Sequence, residues 1–295
     1  EIYTLSLHDA LPILIQIVII AVSDLHIGLK EFEKETFELF LEYLKSEFSR
    51  NKRRNNHFIL LGDIIEFSMR DPVKAIIENE DIISKIKQIE EVANIYYLFG
   101  NHDIIVEELA NKNSMFPFNI LKNITLKEGS SKYFFTHGYE LDVLTSLNKD
   151  ITLYEEFFKK SCYEGELKGS IKDFLWKIGK LFRDFEQLPL PLVEDLQDKL
   201  SKSPSLRLTV GKIERFSVST FLNIFIPIEN SANLVFGHTH RPFITNGNEV
   251  INIGSWRKDE LIHNTFLKID EDKVGLYMFN REKIERLKTV NKEDL

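Results

Sequence analysis

Five times along this chain an apolar run stops abruptly at residues able to bind a metal. Residues 14–22 end in Ser23-Asp24-Leu25-His26, and residues 57–61 in Gly62-Asp63-Ile64-Ile65-Glu66. Residues 94–99 run into Gly100-Asn101-His102-Asp103, residues 132–136 into His137-Gly138, and residues 233–236 into Gly237-His238-Thr239-His240. Each piece alone is unspecific; the ordered repetition is the constraint. Short β-branched and aromatic runs read as strands, and open α/β sheets build their ligand crevices at strand carboxyl ends. Residues two apart on an extended chain point to one side. Asp24 can therefore converge with His26, and His238 with His240.

The rest of the pattern agrees with an α/β chain. In the front half the strand-like runs alternate with amphipathic stretches at 31–48 and 73–89, which predicts βαβ units and a mostly parallel sheet. Residues 139–231 change character and read as a helical insertion, including a helix over 211–226. Within it Ile171, Phe174, Leu175, Ile178, Leu181, Phe182 and Phe185 share one helical face, accompanied by lysines and an arginine. That face has three readings: packing against other helices, a lid over an apolar substrate, or an element lying on a membrane surface. After it come short runs at 233–236, 242–245, 250–253, 264–269 and 274–279, which predict a meander and a more antiparallel second half. Residues 281–295 read as a short helix with a loose tail. The division expected is thus a core in two parts, 14–138 and 232–295, interrupted by the insertion 139–231.

The first thirteen residues, EIYTLSLHDALPI, translate a short-read sequencing adapter codon for codon. We expect them to be an assembly scar, with the native chain resuming near Leu14, and set His8 and Asp9 aside. Without Glu1 and Asp9 the net charge moves from −8 to −6. Residues 10–22 are apolar except for Gln16 but too few to span a bilayer, which takes about 20 residues. The acidic balance argues against nucleic acid as a partner, which calls for a basic face. A lone Cys162 excludes a disulfide framework and a multi-cysteine zinc site, and is in keeping with a cytoplasmic protein.

What remains is a donor set of carboxylate, imidazole and amide oxygen, suited to Mn, Fe or Zn. The inventory is large enough for two ions, with Asp63 as the natural bridging carboxylate. Two such ions can clamp an in-line phosphoryl displacement. His102, next to Asn101 and facing away from it, can bind a phosphate oxygen or protonate a leaving alkoxide. A single histidine is most often a satisfied structural residue, the reading given to His57 and His263. Five of the seven histidines beyond residue 13 following strands makes that reading poor for the set. Glu66 is expected to support the site from behind, and Arg241 either binds phosphate or is simply exposed.

Taken in order, these motifs resemble the calcineurin-like metallophosphoesterases. The resemblance implies two mixed β-sheets packed together and flanked by helices. It implies Asp24, His26, Asp63 and His240 on one ion, and Asp63, Asn101, His137 and His238 on the other. His102 would be the catalytic histidine, with Asp103 orienting or supporting it, and the nucleophile a metal-bridged hydroxide. Substrates would be small or lipid-linked phosphoesters or pyrophosphates. The Gly62–Glu66 stretch, GHTHRP at 237–242, Gly254-Ser255-Trp256 and the insertion are also similar to UDP-2,3-diacylglucosamine hydrolases. Two positions depart from that subfamily, which usually has Arg at His102 and Asp at Tyr139. A scaffold on the same fold would need missing ligands, and none is missing. A membrane-surface module built on 139–231, giving peripheral membrane contact, is the remaining alternative. Oligomeric state is not legible.

Overall fold

The computed structural model describes residues 17–50, 55–112, 117–145, 151–164, 212–218, 228, 232–270, 273–281 and 283–290. Residues 1–13 and the stretch 171–185 lie outside them. Two sheets carry the fold. The first, of seven strands, has the order β12-β11-β10-β1-β2-β3-β4. Its parallel half is β1 (Ile17–Val22), β2 (Asn55–Leu61), β3 (Asn94–Leu98) and β4 (Ile120–Leu121). β10 (Thr265–Asp270), β11 (Lys273–Phe279) and β12 (Ile284–Arg286) add antiparallel strands beside β1. The second sheet has the order β5-β6-β7-β9-β8. It is made of β5 (Asn123–Glu128), β6 (Ser131–Thr136), β7 (Ala232–Phe236), β8 (Phe243–Ile244) and β9 (Val250–Asn252).

Strand periodicity explains the layering. In β1 the odd-numbered Ile19 and the following Ala21 pack with Ile59 and Leu61 of β2 and with Tyr133, Phe135 and Val235 of the second sheet. The alternate residues Val18, Ile20 and Val22 pack with Phe58, Leu60 and the helix α1 (Lys34–Ser49), through Phe37, Phe40 and Leu44. Both faces are buried, which is why β1 reads as continuously apolar rather than alternating. The outer face of the second sheet is covered through Phe134, Leu234 and Phe236 by Leu141 and Ile213. These belong to α5 (Tyr139–Thr145) and α7 (Lys212–Ser217). The remaining helices are α2 (Pro72–Glu78), α3 (Glu80–Lys87), α4 (Val106–Lys112) and α6 (Ile151–Glu164), with one 3-10 turn at Gln88–Glu91. The result is the expected pair of mixed sheets flanked by helices. Among the described residues no helix is long and apolar enough to cross a membrane.

Three expectations need correction. The single helix over 73–89 is broken at Asn79, whose backbone sits at φ −122° and ψ 18°. Its Nδ2 donates to the Ala75 carbonyl oxygen at 2.8 Å, a local bond that competes with the helical ladder. The segment after residue 281 is not a helix where it is described; Ile284–Arg286 pairs with β11 as an edge strand. The back half is not a pure meander, because β6, β7 and β9 run parallel.

Candidate metal centre

All five motifs emerge at the carboxyl ends of parallel strands: β1, β2 and β3 in the first sheet, β6 and β7 in the second. The turns there are tight. Asp24, His26, Asp63, His238 and His240 have φ of 54°, 47°, 53°, 65° and 57°. Only Asn248 and Asn264 among other described non-glycine residues have positive φ. Left-handed backbone costs a non-glycine residue of order 1–3 kcal/mol and persists where the surroundings impose it. Here the strained turns all aim side chains into one crevice. Gly100 and Gly237 make room for it. A Cβ at Gly100 would overlap the Asp63 carboxylate, and one at Gly237 would overlap Ser23 and Asp24.

The histidines are oriented by one device. His26 Nδ1 lies 2.7 Å from Glu66 Oε2, His137 Nδ1 3.0 Å from the Leu61 carbonyl oxygen, and His240 Nδ1 3.0 Å from Glu260 Oε1. A ring nitrogen facing an acceptor keeps its proton, so when the ring is neutral the lone pair is on Nε2. The ligand atoms of Asp24, His26 and His240 lie within 4.8 Å of one another, as do those of Asp63, His137 and His238. Asp63 stands between the groups, with Oδ2 3.9 Å from His26 Nε2 and 3.3 Å from His137 Nε2. Asn101 is buried on the loop between Gly100 and His102.

Whether these residues fit a cation is decided by their unmet polar atoms. Asp24 Oδ1, His26 Nε2, Asn101 Oδ1 and His137 Nε2 are buried without a hydrogen-bond partner, four of the ten such atoms among the described residues. An unpaired buried polar atom costs about 1–3 kcal/mol. Gathering four of them in one crevice, with His240 Nε2 3.1 Å from Asp24 Oδ1, fits a divalent cation that would take the place of the imidazole protons. A third group, His26, Glu66 and His102, also lies within 4.8 Å. There Glu66 faces the Nδ1 of both rings, so the cluster shares protons rather than offering lone pairs.

The charges respond to one another. Burial raises Asp24, but the His240 and His137 imidazoles outweigh it and bring the carboxyl down to about 2. Burial lowers His240 and His137, yet facing carboxylates lift them to about 9 and about 10. His102 is likewise depressed by burial and raised by Asp63 and Glu66, ending at about 9. Its Nδ1 lies 2.9 Å from Glu66 Oε2, and its backbone N–H donates to Asp63 Oδ1 at 2.8 Å.

Asp103 lies behind the site rather than at the imidazole itself. Its carboxylate accepts from the N–H groups of Gly100 (2.6 Å) and Ile64 (2.7 Å) and from the Tyr97 hydroxyl (2.6 Å). It braces the two loops that carry Asp63 and His102, while the carboxylate at the imidazole is that of Glu66. Arg241 is half exposed, with Nη1 4.0 Å from Glu214 Oε1 on α7. Four contributors were not singled out from sequence. Ser23 Oγ donates to Asp24 Oδ2 at 2.5 Å, Glu260 orients His240, and Asp142 Oδ2 lies 3.5 Å from His238 Nε2. The fourth is Ser68, whose Oγ lies 2.7 Å from His102 Nδ1. Ser23 stands inside the first motif, though given no role there, and Ser68 lies just past the second; Glu260 and Asp142 carry no spacing signal.

Comparison with known proteins agrees with this geometry. No curated protein matches the chain. Among solved structures, one from Streptococcus pneumoniae TIGR4, described as a conserved uncharacterized protein and predicted phosphoesterase, aligns over 92% of this chain and 98% of its own. Its identity is 13% and its TM-score 0.36, too distant to carry an argument. The family model for calcineurin-like phosphoesterases, however, matches residues 17–242, which take in every candidate ligand from Asp24 to His240. With the match spanning most of the chain, this protein belongs to the calcineurin-like phosphoesterase family, metal-dependent hydrolases of phosphoester bonds.

Proposed function

We propose that the crevice is a dinuclear centre, probed best with manganese, that hydrolyses a phosphoester or pyrophosphate. The observation that carries this is the position of Asp63, whose Oδ2 faces His26 of one group and His137 of the other. On this reading Asp24, His26, Asp63 and His240 hold one ion, and Asp63, Asn101, His137 and His238 the other. The pair would activate water for attack on phosphorus and neutralise charge on the transferred group.

The chain's own groups complete the reaction. Glu66 keeps the proton of His102 on Nδ1 and stabilises the imidazolium, so Nε2 is left to donate a proton to the departing oxygen. Water supplies the new P–O bond and the ester P–O bond breaks. Asp103, by holding Gly100 and Ile64, keeps Asp63 and His102 in register. Burial of the ligands at strand ends leaves little for the protein to reorganise during the reaction.

The narrower likeness to lipid-nucleotide pyrophosphatases has less support. The Gly254-Ser255-Trp256 trio has a packing role: Trp256 is buried, its backbone N–H donates to the Asp24 carbonyl oxygen at 3.1 Å and its indole N–H to that of Thr265 at 2.8 Å. Most of 139–231, where a lid or membrane-surface face was expected, lies outside the described residues. The test is hydrolysis by chelator-stripped protein with manganese restored, on an aryl phosphomonoester, an aryl phosphodiester and a UDP-linked pyrophosphate. Manganese-dependent turnover is expected, and the preferred ester assigns the subclass. Absence of bound metal after reconstitution would overturn the dinuclear reading.

A further inference from the structure

The buried hydroxyl of Ser68 is not required by any metal ligand, yet it is built into the support of His102. Its Oγ lies 2.7 Å from His102 Nδ1 and donates to Glu66 Oε1, also at 2.7 Å. Glu66 Oε1 further accepts the Met69 N–H at 2.9 Å, while its Oε2 faces His26. The serine oxygen therefore presents its lone pairs to the Nδ1 proton while its own proton goes to the carboxylate. Ser68 is 9% exposed. It is also held from outside. Ser161 Oγ donates to the Ser68 carbonyl oxygen and Cys162 Sγ to that of His102, each at 3.4 Å, so one face of α6 clamps both residues of the contact. The Phe158 ring, one turn earlier on α6, lies 5.9 Å from the His102 ring.

We infer that Ser68 is a positioning residue for His102, the second acceptor that fixes the imidazole plane so that Nε2 meets the leaving oxygen. Both Glu66 oxygens face Nδ1, at 3.0 and 2.9 Å, but they are shared with His26, the Met69 N–H and the Ser68 hydroxyl, so neither is reserved for His102. The Ser68 oxygen is the shortest of the three contacts to that nitrogen and approaches from a separate loop position. Ser68 does not act as a nucleophile: it lies at Nδ1, the opposite end of the ring from Nε2. During hydrolysis the Nε2 proton passes to the ester oxygen as its bond to phosphorus breaks, and water, which forms the new bond, restores the proton. Ser68 changes only the placement of that transfer.

This inference rests on the phosphohydrolase reading, and the experiment separates the two. The proteins are wild type, Ser68→Ala and Ser68→Thr, each loaded with manganese and assayed on an alkyl phosphoester and on a p-nitrophenyl ester of the same class. An alkoxide needs a proton to leave, whereas p-nitrophenolate does not. Removing one hydrogen bond of this kind is expected to lower kcat on the alkyl ester about ten-fold. KM and metal content should be unchanged, and p-nitrophenyl turnover should fall less than about two-fold. Ser68→Thr, which keeps the hydroxyl, should restore the alkyl rate. Equal losses on both esters, or no loss on either, would overturn the inference while leaving wild-type hydrolysis intact. Inactive wild-type protein would instead strike the functional reading on which it stands.

Discussion

At the scale of single residues, the site is governed by which atoms hold protons before a metal arrives. His240 and His137 are lifted to about 9 and about 10 in the metal-free protein, so both are imidazolium at neutral pH. A histidine ligand must be neutral, and binding must therefore expel protons. Affinity for manganese should rise with pH between 6.5 and about 9, and titration calorimetry in two buffers of different ionisation enthalpy should show proton release. Heats independent of buffer would contradict it. The same shifts set the stability of the metal-free chain. A histidine raised in the folded state contributes stability fully below about pH 6.5, lost as pH rises through about 9. Asp24, held at about 2, contributes above about pH 3.8, lost as pH falls through about 2. Chelator-treated protein should accordingly lose melting temperature between pH 6.5 and 9, and metal-loaded protein should lose much less. Asp63→Asn, which removes the carboxylate between the two histidine groups, should cut turnover by more than about 100-fold and lower the number of bound ions in elemental analysis. The residues of this chemistry were legible because each sits just past an apolar run. Glu66, read as support from behind, does stand at the far side of His26 and His102, but the partners of the other imidazoles were not legible. Glu260 reaches His240 from 20 residues away, and no local pattern announces it.

At the scale of elements, the long buried strands were readable and the edges were not. β1, β2, β3 and β7 stand out because residues on both of their faces are buried, so each carries a continuous apolar run, as Phe58–Leu61 in β2. β5 escaped notice because Asn123 and Lys127 are exposed and its pairing with β6 is all that makes it a strand. β12 was misread for the same reason: Glu285 and Arg286 suit a helix locally, and only the register Tyr277↔Arg286 settles the matter. α1 was found by its apolar stripe, and that stripe anchors more than a helix. Phe40 is buried among Phe37, Trp256, Phe266 and Phe279, with ring centroids 4.8–5.8 Å away. Trp256 in turn holds the backbone of Asp24. Phe40→Ala should lower unfolding free energy by about 3–5 kcal/mol in urea titration. Some loosening of the Asp24 turn should follow, read as weaker manganese binding by the folded variant. A loss under 1 kcal/mol would show that the cluster is not the packing anchor described.

At the scale of the whole molecule, the candidate ligands are divided between the two sheets. Asp24, His26, Asp63 and Asn101 come from strands of the first, His137, His238 and His240 from strands of the second. The apolar layer between the sheets, from Ile19 to Leu276, holds them together by burial, which is strong but does not fix the crevice. At the rim the contacts across the seam are polar: the His238 N–H donates to Asp24 Oδ2 at 3.0 Å and His137 Nδ1 to the Leu61 carbonyl oxygen, while His137 Nε2 and His240 Nε2 face Asp63 and Asp24 at 3.3 and 3.1 Å. The orphaned donor atoms meet at that same rim. A cation there would act as a cross-link between sheets as well as a reagent. Anything that binds only the folded state stabilises it by mass action, about 2.7 kcal/mol for one site at a hundred-fold excess over Kd. Stripping the metal should therefore lower the melting temperature by several degrees. Amide exchange should quicken at the carboxyl ends of β6 and β7 and of β1 and β2, and hardly at all in β11 or β12, which supply no ligand. Uniform quickening across both sheets would mean that the ions stabilise the fold without tying its two halves together at this edge.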